Sequence, residues 1–315
     1  MALSIKVAAA QLAPVFFDRD ATVRKACDAI AEAGRNGAAL IAFPESFIPG
    51  YPYFAMVLPP TKINTSMLRL REQSLVIPSA DTDALCRAAR EARCHVVMGQ
   101  NEREGGTLYN GQLFIDADGH ILGRRRKLVP TSHERLVWGR GDGSDLQVHD
   151  TRLGRLGGLI CYEHSNALFR YALHAQGEQI HIANWPGGMS TINGIIDAAT
   201  RSYAFEAQAF VISVTSVLTP EALDRLDAEV RSQLSAHGGF SSILSPKGDY
   251  LAGPQLEGEA LLYATLDFTL IDRLKAIVDS VGHYARPDVV QLLIDRTPQR
   301  PCVEKAASVR SKSDG

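Results

Sequence analysis

The chain has 315 residues, 45% of them hydrophobic and 22% charged, which sets aside collagen-like and disordered classes and leaves room for one large domain or two ordinary ones. Its 33 basic residues nearly balance 35 acidic ones, and a net charge of −2 offers no electrostatic surplus for binding nucleic acid or an anionic membrane. Cys27, Cys86, Cys94, Cys161 and Cys302 are too scattered for a disulfide framework, no basic leader precedes an apolar core, and no apolar run approaches the roughly 20 residues of a membrane span, so a cytoplasmic protein is expected.

In chain order, residues 5–11 (IKVAAAQ) read as a short buried strand, 21–34 as an amphipathic helix closed by a glycine, and 38–43 (AALIAF) as a second buried strand. A helix over 82–93 and a strand over 95–99 follow, then a hairpin pairing 108–115 with 121–127 about Asp118-Gly119. Next come a strand over 156–160, a helix over 167–175, a strand over 179–183, a helix over 194–206 and a strand over 210–215. This order predicts a mixed α/β domain with sheets buried on both faces. A helix over 220–233 is expected as a solvent-facing insertion. No Pro/Gly/Ser-rich linker interrupts the chain earlier, so 1–297 is expected to form a single domain and the polar segment 298–315 a disordered tail.

Three polar residues stand where a buried strand runs out: Glu45 after AALIAFP, Lys127 after HILGRRR, and Cys161 after LGRLGGLI. Strand ends in α/β sheets aim side chains rigidly into a crevice. Taken singly, each has a plain reading: a loop or cap glutamate, the last member of a solvated basic run RRRK, and a small buried hydrophobe. Taken together they supply a thiol nucleophile, a carboxylate to receive its proton, and an ammonium to meet the negative charge developing on the attacked group. The backbone N–H of Tyr162 is the natural second donor to that charge.

Metal readings do not fit. His133-Glu134 opens like a zinc-protease motif, but Val137 stands where its second histidine belongs, and Cys86, Cys94 and Cys161 lack the spacing of a zinc site. Gly139, Gly141 and Gly143 follow Trp138 rather than a strand, which marks loop chemistry and not a phosphate cradle.

The segments FPESFIPGYPYF, RRRKLVPTSHERLVWGRGDGS and GGLICYEHSNALFRYALHAQGEQIHIANWPG resemble the three signature blocks of the nitrilase family within the carbon–nitrogen hydrolase superfamily, in the same order. The resemblance implies a four-layer α-β-β-α sandwich of the nitrilase type and a triad that falls on Glu45, Lys127 and Cys161, with a second site glutamate at Glu134. It implies hydrolysis of a small-molecule nitrile to the acid and ammonia through a thioimidate and a thioester, with no metal or organic cofactor, by a homo-oligomer that is a dimer or a larger spiral assembly. An amide or carbamoyl substrate on the same machinery stays open, since both reactions share the thioester. A dead member acting through assembly is disfavoured by the intact charged cluster.

The nitrilase branch commonly carries Cys-Trp-Glu-His at the nucleophile, whereas this chain has Cys161-Tyr162-Glu163-His164. Tyr51, Trp138, Tyr162 and Trp185 lie beside the signature residues and are candidates both for the substrate pocket and for ordinary core aromatics. His164 could orient Glu163 or be a satisfied buried histidine, and the second reading is preferred.

Overall fold

The structure, a computed structural model, describes residues 4–302. Strand β1 (Ser4–Gln11) sends Val7 and Ala9 to one face and Ala8 and Ala10 to the other, and all four are fully buried. That double burial is the signature of an interior strand. Helix α1 (Arg19–Arg35) is started by the Asp18 carboxylate, which accepts from Ala21 N, a cap worth about 1 kcal/mol. Its Val23, Ala26, Ile30 and Ala33 form the apolar stripe laid on the sheet.

Strand β2 (Leu40–Ala42), helices α2 (Tyr53–Val57), α3 (Asn64–Gln73) and α4 (Ala80–Ala92), and strands β3 (His95–Glu104), β4 (Thr107–Ile115) and β5 (Ile121–Arg126) complete the first half. The second half runs β6 (His149–Thr151), β7 (Gly154–Ile160), α5 (Ala167–His174), β8 (Ile180–Trp185), α6 (Asn193–Ala207) and β9 (Phe210–Thr215). It closes with α7 (Pro220–Leu223), α8 (Ala228–Arg231), β10 (Ser241–Leu244), β11 (Tyr250–Gln255), β12 (Ala260–Asp267) and α9 (Thr269–Lys275).

The strands form two six-stranded sheets, ordered β12-β1-β2-β3-β4-β5 and β11-β10-β9-β8-β7-β6. Val7, Leu40, Val97 and Phe114 of the first face Leu156, Ile182, Ile212 and Val214 of the second across a shared core. Helices α1 and α4 cover the outer face of the first sheet and α5 and α6 that of the second, giving the α-β-β-α sandwich. Among the described residues, no helix is long and apolar enough to cross a membrane.

The expected helix over 220–233 is instead two short helices, which expose their polar side to solvent but bury an apolar one. Ala222, Leu223, Leu226 and Val230 are buried against Tyr53, Phe54 and Leu58, because the apolar residues of α2 need a cover that neither sheet supplies. Residues 298–302 are irregular, with Gln299 N donating to Asp142 Oδ2 at 2.8 Å, and the rest of the expected tail lies outside the described residues.

Candidate active site

Three of the strand ends meet at one place between the sheets. Glu45 follows β2 by three residues, and its backbone N–H donates to Trp185 O at the end of β8, which ties the first sheet to the second. A Cβ on Gly99 of β3 would collide with Pro44 O, so only glycine lets this segment lie so close to the strand. Lys127 carries the β4–β5 pairing one residue further, its N–H donating to Asn110 O at 2.8 Å. Cys161 follows β7 directly and opens a 3-10 turn, Cys161–Ser165.

The pleat of β5 explains why its basic run is not one solvated patch. Arg124 and Arg126 turn outward to Glu102 and Glu104, whereas Arg125 and Lys127 turn into the protein. Arg125 pairs with Glu163 at 2.7 Å, and the same carboxylate accepts from Leu128 N and Ile160 N. Glu163 thereby pins the chain on both sides of the cleft, just after Lys127 and just before Cys161.

Lys127 Nζ donates to Glu45 Oε1 at 2.8 Å and to Glu134 Oε2 at 2.7 Å, with all three side chains buried. Glu134 sits on the 3-10 turn Ser132–Leu136, where Thr131 N also donates to Oε2 and the Tyr51 hydroxyl donates to Oε1 at 2.8 Å. Since that hydroxyl has one proton and spends it on Glu134, it accepts from His133 Nε2, 3.0 Å away. Asn110 Nδ2 donates to Glu45 Oε1 at 2.6 Å, whereas the buried Glu45 Oε2 has no hydrogen-bond partner among the described residues. The Cys161 sulfur and one oxygen from each glutamate lie within 4.8 Å of one another.

Burial pushes the Glu45 carboxyl up to about 7, against the pull of the Lys127 ammonium. For Lys127, burial works to discharge the amine, but the charges of Glu45 and Glu134 and the hydrogen bond to Glu134 outweigh it and hold the group above the usual lysine range. Burial, then Glu45, drives the Cys161 thiol well above its ordinary range, while Lys127 and the Tyr162 N–H pull the other way. The resting thiol therefore keeps its proton. A free carboxylate oxygen, a tethered cation and a protonated thiol are the parts of a nucleophile with its own base and its own counter-ion.

Backbone strain gathers here as well. Ser46, Ser132 and Cys161 have φ of +52°, +46° and +53°, a region that costs a non-glycine residue about 1–3 kcal/mol. Cys161 is itself one of the four central residues, Ser46 follows Glu45, and Ser132 opens the turn that carries Glu134.

Of the expected pocket aromatics, Tyr51 touches Glu134 directly, and Trp138 packs edge-on against Tyr51 with its ring centroid 6.0 Å from Lys127 Nζ. Trp185 is buried and stacks on His164. Tyr162 is 36% exposed. His164 does not hydrogen-bond to Glu163, since both its ring nitrogens are taken, by Cys161 O and by His181. Asn110 and His181 escaped the sequence reading, although a polar side chain within an otherwise apolar buried strand is a usable signal for each.

A carbon-nitrogen hydrolase family model matches residues 6–276. The chain is 43% identical over 309 residues to "Nitrilase 3" of an unknown prokaryotic organism, covering 96% of this chain and 94% of the relative. It is 45% identical over 310 residues to an aliphatic nitrilase of Rhodococcus rhodochrous, covering 95% and 84%. Among solved structures, a carbon-nitrogen hydrolase from Helicobacter pylori G27 superposes with a TM-score of 0.73 at 18% identity, covering 90% of this chain and 96% of that one.

Proposed function

The chain belongs to the nitrilase branch of the carbon–nitrogen hydrolase family, and from that premise we propose that it hydrolyses an organic nitrile to the carboxylic acid and ammonia, with Cys161 as nucleophile, Glu45 as base, and Lys127 and Glu134 completing the site. The observation that carries the assignment of roles is that Glu45, whose buried Oε2 is unpartnered among the described residues, has a carboxylate oxygen within 4.8 Å of the Cys161 sulfur.

In this reading Glu45 takes the thiol proton as sulfur adds to the nitrile carbon. The nitrile nitrogen gains the pair and then that proton from Glu45, giving a thioimidate and returning Glu45 to its ionised form. Lys127 Nζ and the Tyr162 N–H face the charge that develops. Water deprotonated by Glu45 adds to the thioimidate carbon, ammonia departs, and a second water hydrolyses the thioester. Tyr51 and Trp138 form the wall beside Glu134, and Tyr162 and Trp185 are further candidates for the pocket. One domain over 1–297 acting as a homo-oligomer belongs to the same proposal, supported by the exposed Leu168 on α5 and Phe205 on α6. The free cysteines support a reducing, cytoplasmic setting.

The test is ammonia release over a panel of nitriles and their matching amides. Turnover of some nitrile faster than of its amide is expected, and the reverse throughout would move the assignment to an amidase.

Two substitutions probe the proton traffic. Glu45 acts as a base only when ionised, so kcat/KM should rise with pH through about 7, where burial places its carboxyl. Glu45→Gln should lower turnover at least about a hundredfold and abolish that rising limb. A variant within threefold of the parent would remove Glu45 as the base. Glu134→Gln weakens the anionic partner that keeps Lys127 charged, so the amino group of the tetrahedral intermediate is less readily protonated and sulfur leaves more often. The amide share of the product, measured by chromatography, should rise as the rate falls. An unchanged ratio in an active variant would show that Glu134 does not steer this partition.

A further inference from the structure

Behind the nucleophile runs a second buried chain of titratable groups that the mechanism above does not use. His164 Nδ1 lies 2.7 Å from Cys161 O, His164 Nε2 lies 2.9 Å from His181 Nε2, and His181 Nδ1 lies 3.0 Å from Glu178 Oε1. The Tyr203 hydroxyl donates to Glu178 Oε2, and its ring stacks on His181. All four side chains are buried. Gly157 makes room for them, because a Cβ there would collide with Glu178 Oε1.

The direction of every bond follows from one end. A carbonyl oxygen can only accept, so His164 Nδ1 carries a proton and donates to Cys161 O. A neutral His164 then has a bare Nε2, which must accept from His181 Nε2–H. A neutral His181 in turn has a bare Nδ1, so the proton between it and Glu178 belongs to the carboxyl. The pair can move that proton onto His181, but it cannot lose it without leaving a carboxylate facing a lone pair. Turning His181 to the other tautomer only passes the conflict to His164 and on to Cys161 O.

The Cys161 carbonyl and the Tyr162 N–H belong to one planar trans peptide, so their directions are opposed and fixed together. The Tyr162 N–H favours the ionised form of the Cys161 thiol. A donor held on the carbonyl therefore aims the N–H and, through polarisation along the chain, strengthens it. Cys161 needs such support because its φ of +53° is strained.

We propose that Glu178, His181 and His164 form a one-way hydrogen-bond chain that holds the Cys161–Tyr162 peptide in its working orientation, and that they are positioning residues for the Tyr162 N–H donor. This rests on Cys161 being the nucleophile. The shared proton makes the device sensitive to alkali. Burial pushes the Glu178 carboxyl up to about 8, offset in part by the Tyr203 hydrogen bond and by Arg125. The charged or titratable groups facing this chain are Tyr203 of α6, His174 of α5, Arg125 of β5 and Glu163 of the nucleophile turn.

The experiment compares the full-length parent with Glu178→Gln and Glu178→Leu from about pH 6 to about pH 10, reading kcat and KM on one nitrile and the rate of Cys161 alkylation by iodoacetamide. The glutamine amide donates to His181 Nδ1 with no proton to lose, whereas leucine donates nothing. Glu178→Leu should lower kcat about tenfold with KM little changed, and Glu178→Gln should restore most of it while removing the parent's fall above about pH 8. In alkylation, Glu178→Gln should outpace the parent above that pH. Parental kcat in a folded Glu178→Leu, or a parental falling limb in Glu178→Gln, would overturn the proposal, and the glutamine variant decides if the leucine variant does not fold. Should the parent turn over no nitrile or amide, the functional reading falls, while alkylation still judges the chain because it needs only the thiol.

Discussion

Cys161→Ser is expected to abolish ammonia release from every nitrile while the protein keeps its fold. A thiol proton is within reach of a base whose carboxyl burial places at about 7, but an alcohol is intrinsically far less acidic and Glu45 has little power to ionise it. Lys127 is not free to close that gap, since both Glu45 and Glu134 already hold it. The loss should be on the order of 10⁴-fold or more, the scale on which removing a nucleophile acts. The fold should survive because the exchange is nearly isosteric and the backbone at 161 is set by its turn and by the hydrogen bond from His164. Ammonia release and circular dichroism are the two measurements. Retained turnover in a folded variant would remove Cys161 as the nucleophile, and with it the thioimidate.

How much of this could be read beforehand depended on whether the signal was local. β1 and α1 lie within two residues of the expected 5–11 and 21–34, because alternation and a capped apolar stripe are properties of the segment alone. Strands β10, β11 and β12 were missed for equally local reasons. β10 is SSIL, with buried hydroxyls instead of alternating apolar residues; β11 contains Gly253-Pro254, which reads as a turn; and β12 lies at a sheet edge with most of its side chains half-buried. In the site, Glu45 and Cys161 were visible because each follows a buried strand, and Lys127 because it follows the hairpin strand β5, although that strand is a half-buried sheet edge and not the buried one expected. Of the partners that set their states, Glu134 came with the resemblance and Tyr51 only as a pocket candidate, while Asn110 and the pairings themselves were not visible. Asn110 is 65 residues from Glu45 and Tyr51 is 83 from Glu134, and such pairs are fixed by the order in which strands lie side by side within the first sheet, which no window of sequence contains.

Lys127→Ala should be at least as damaging as loss of the base, and its damage should spread to stability. In the parent, one ammonium is shared by two buried carboxylates, and it outweighs the burial that would otherwise discharge it. Removing it leaves Glu45 and Glu134 near one another in a water-poor site with no cation between them, a defect that typically costs about 3–5 kcal/mol. Burial already raises the Glu45 carboxyl, and the ammonium is its strongest downward influence, so in the variant the carboxyl rises further. A carboxyl with a raised folded pKa binds its proton more tightly in the folded state than in the unfolded one. The variant should therefore lose stability as pH rises from the unfolded value of about 4.5 through the raised folded value, and its deficit against the parent should be larger at about pH 8 than at about pH 5. Activity should fall about a thousandfold or more, because the base is protonated where it should be ionised and the charge developing on the substrate has lost its nearest cation. Thermal melts at the two pH values and ammonia release on one nitrile give both readings. A variant that melts with the parent at both pH values and turns over within threefold of it would show that the ammonium neither balances the carboxylates nor serves the reaction.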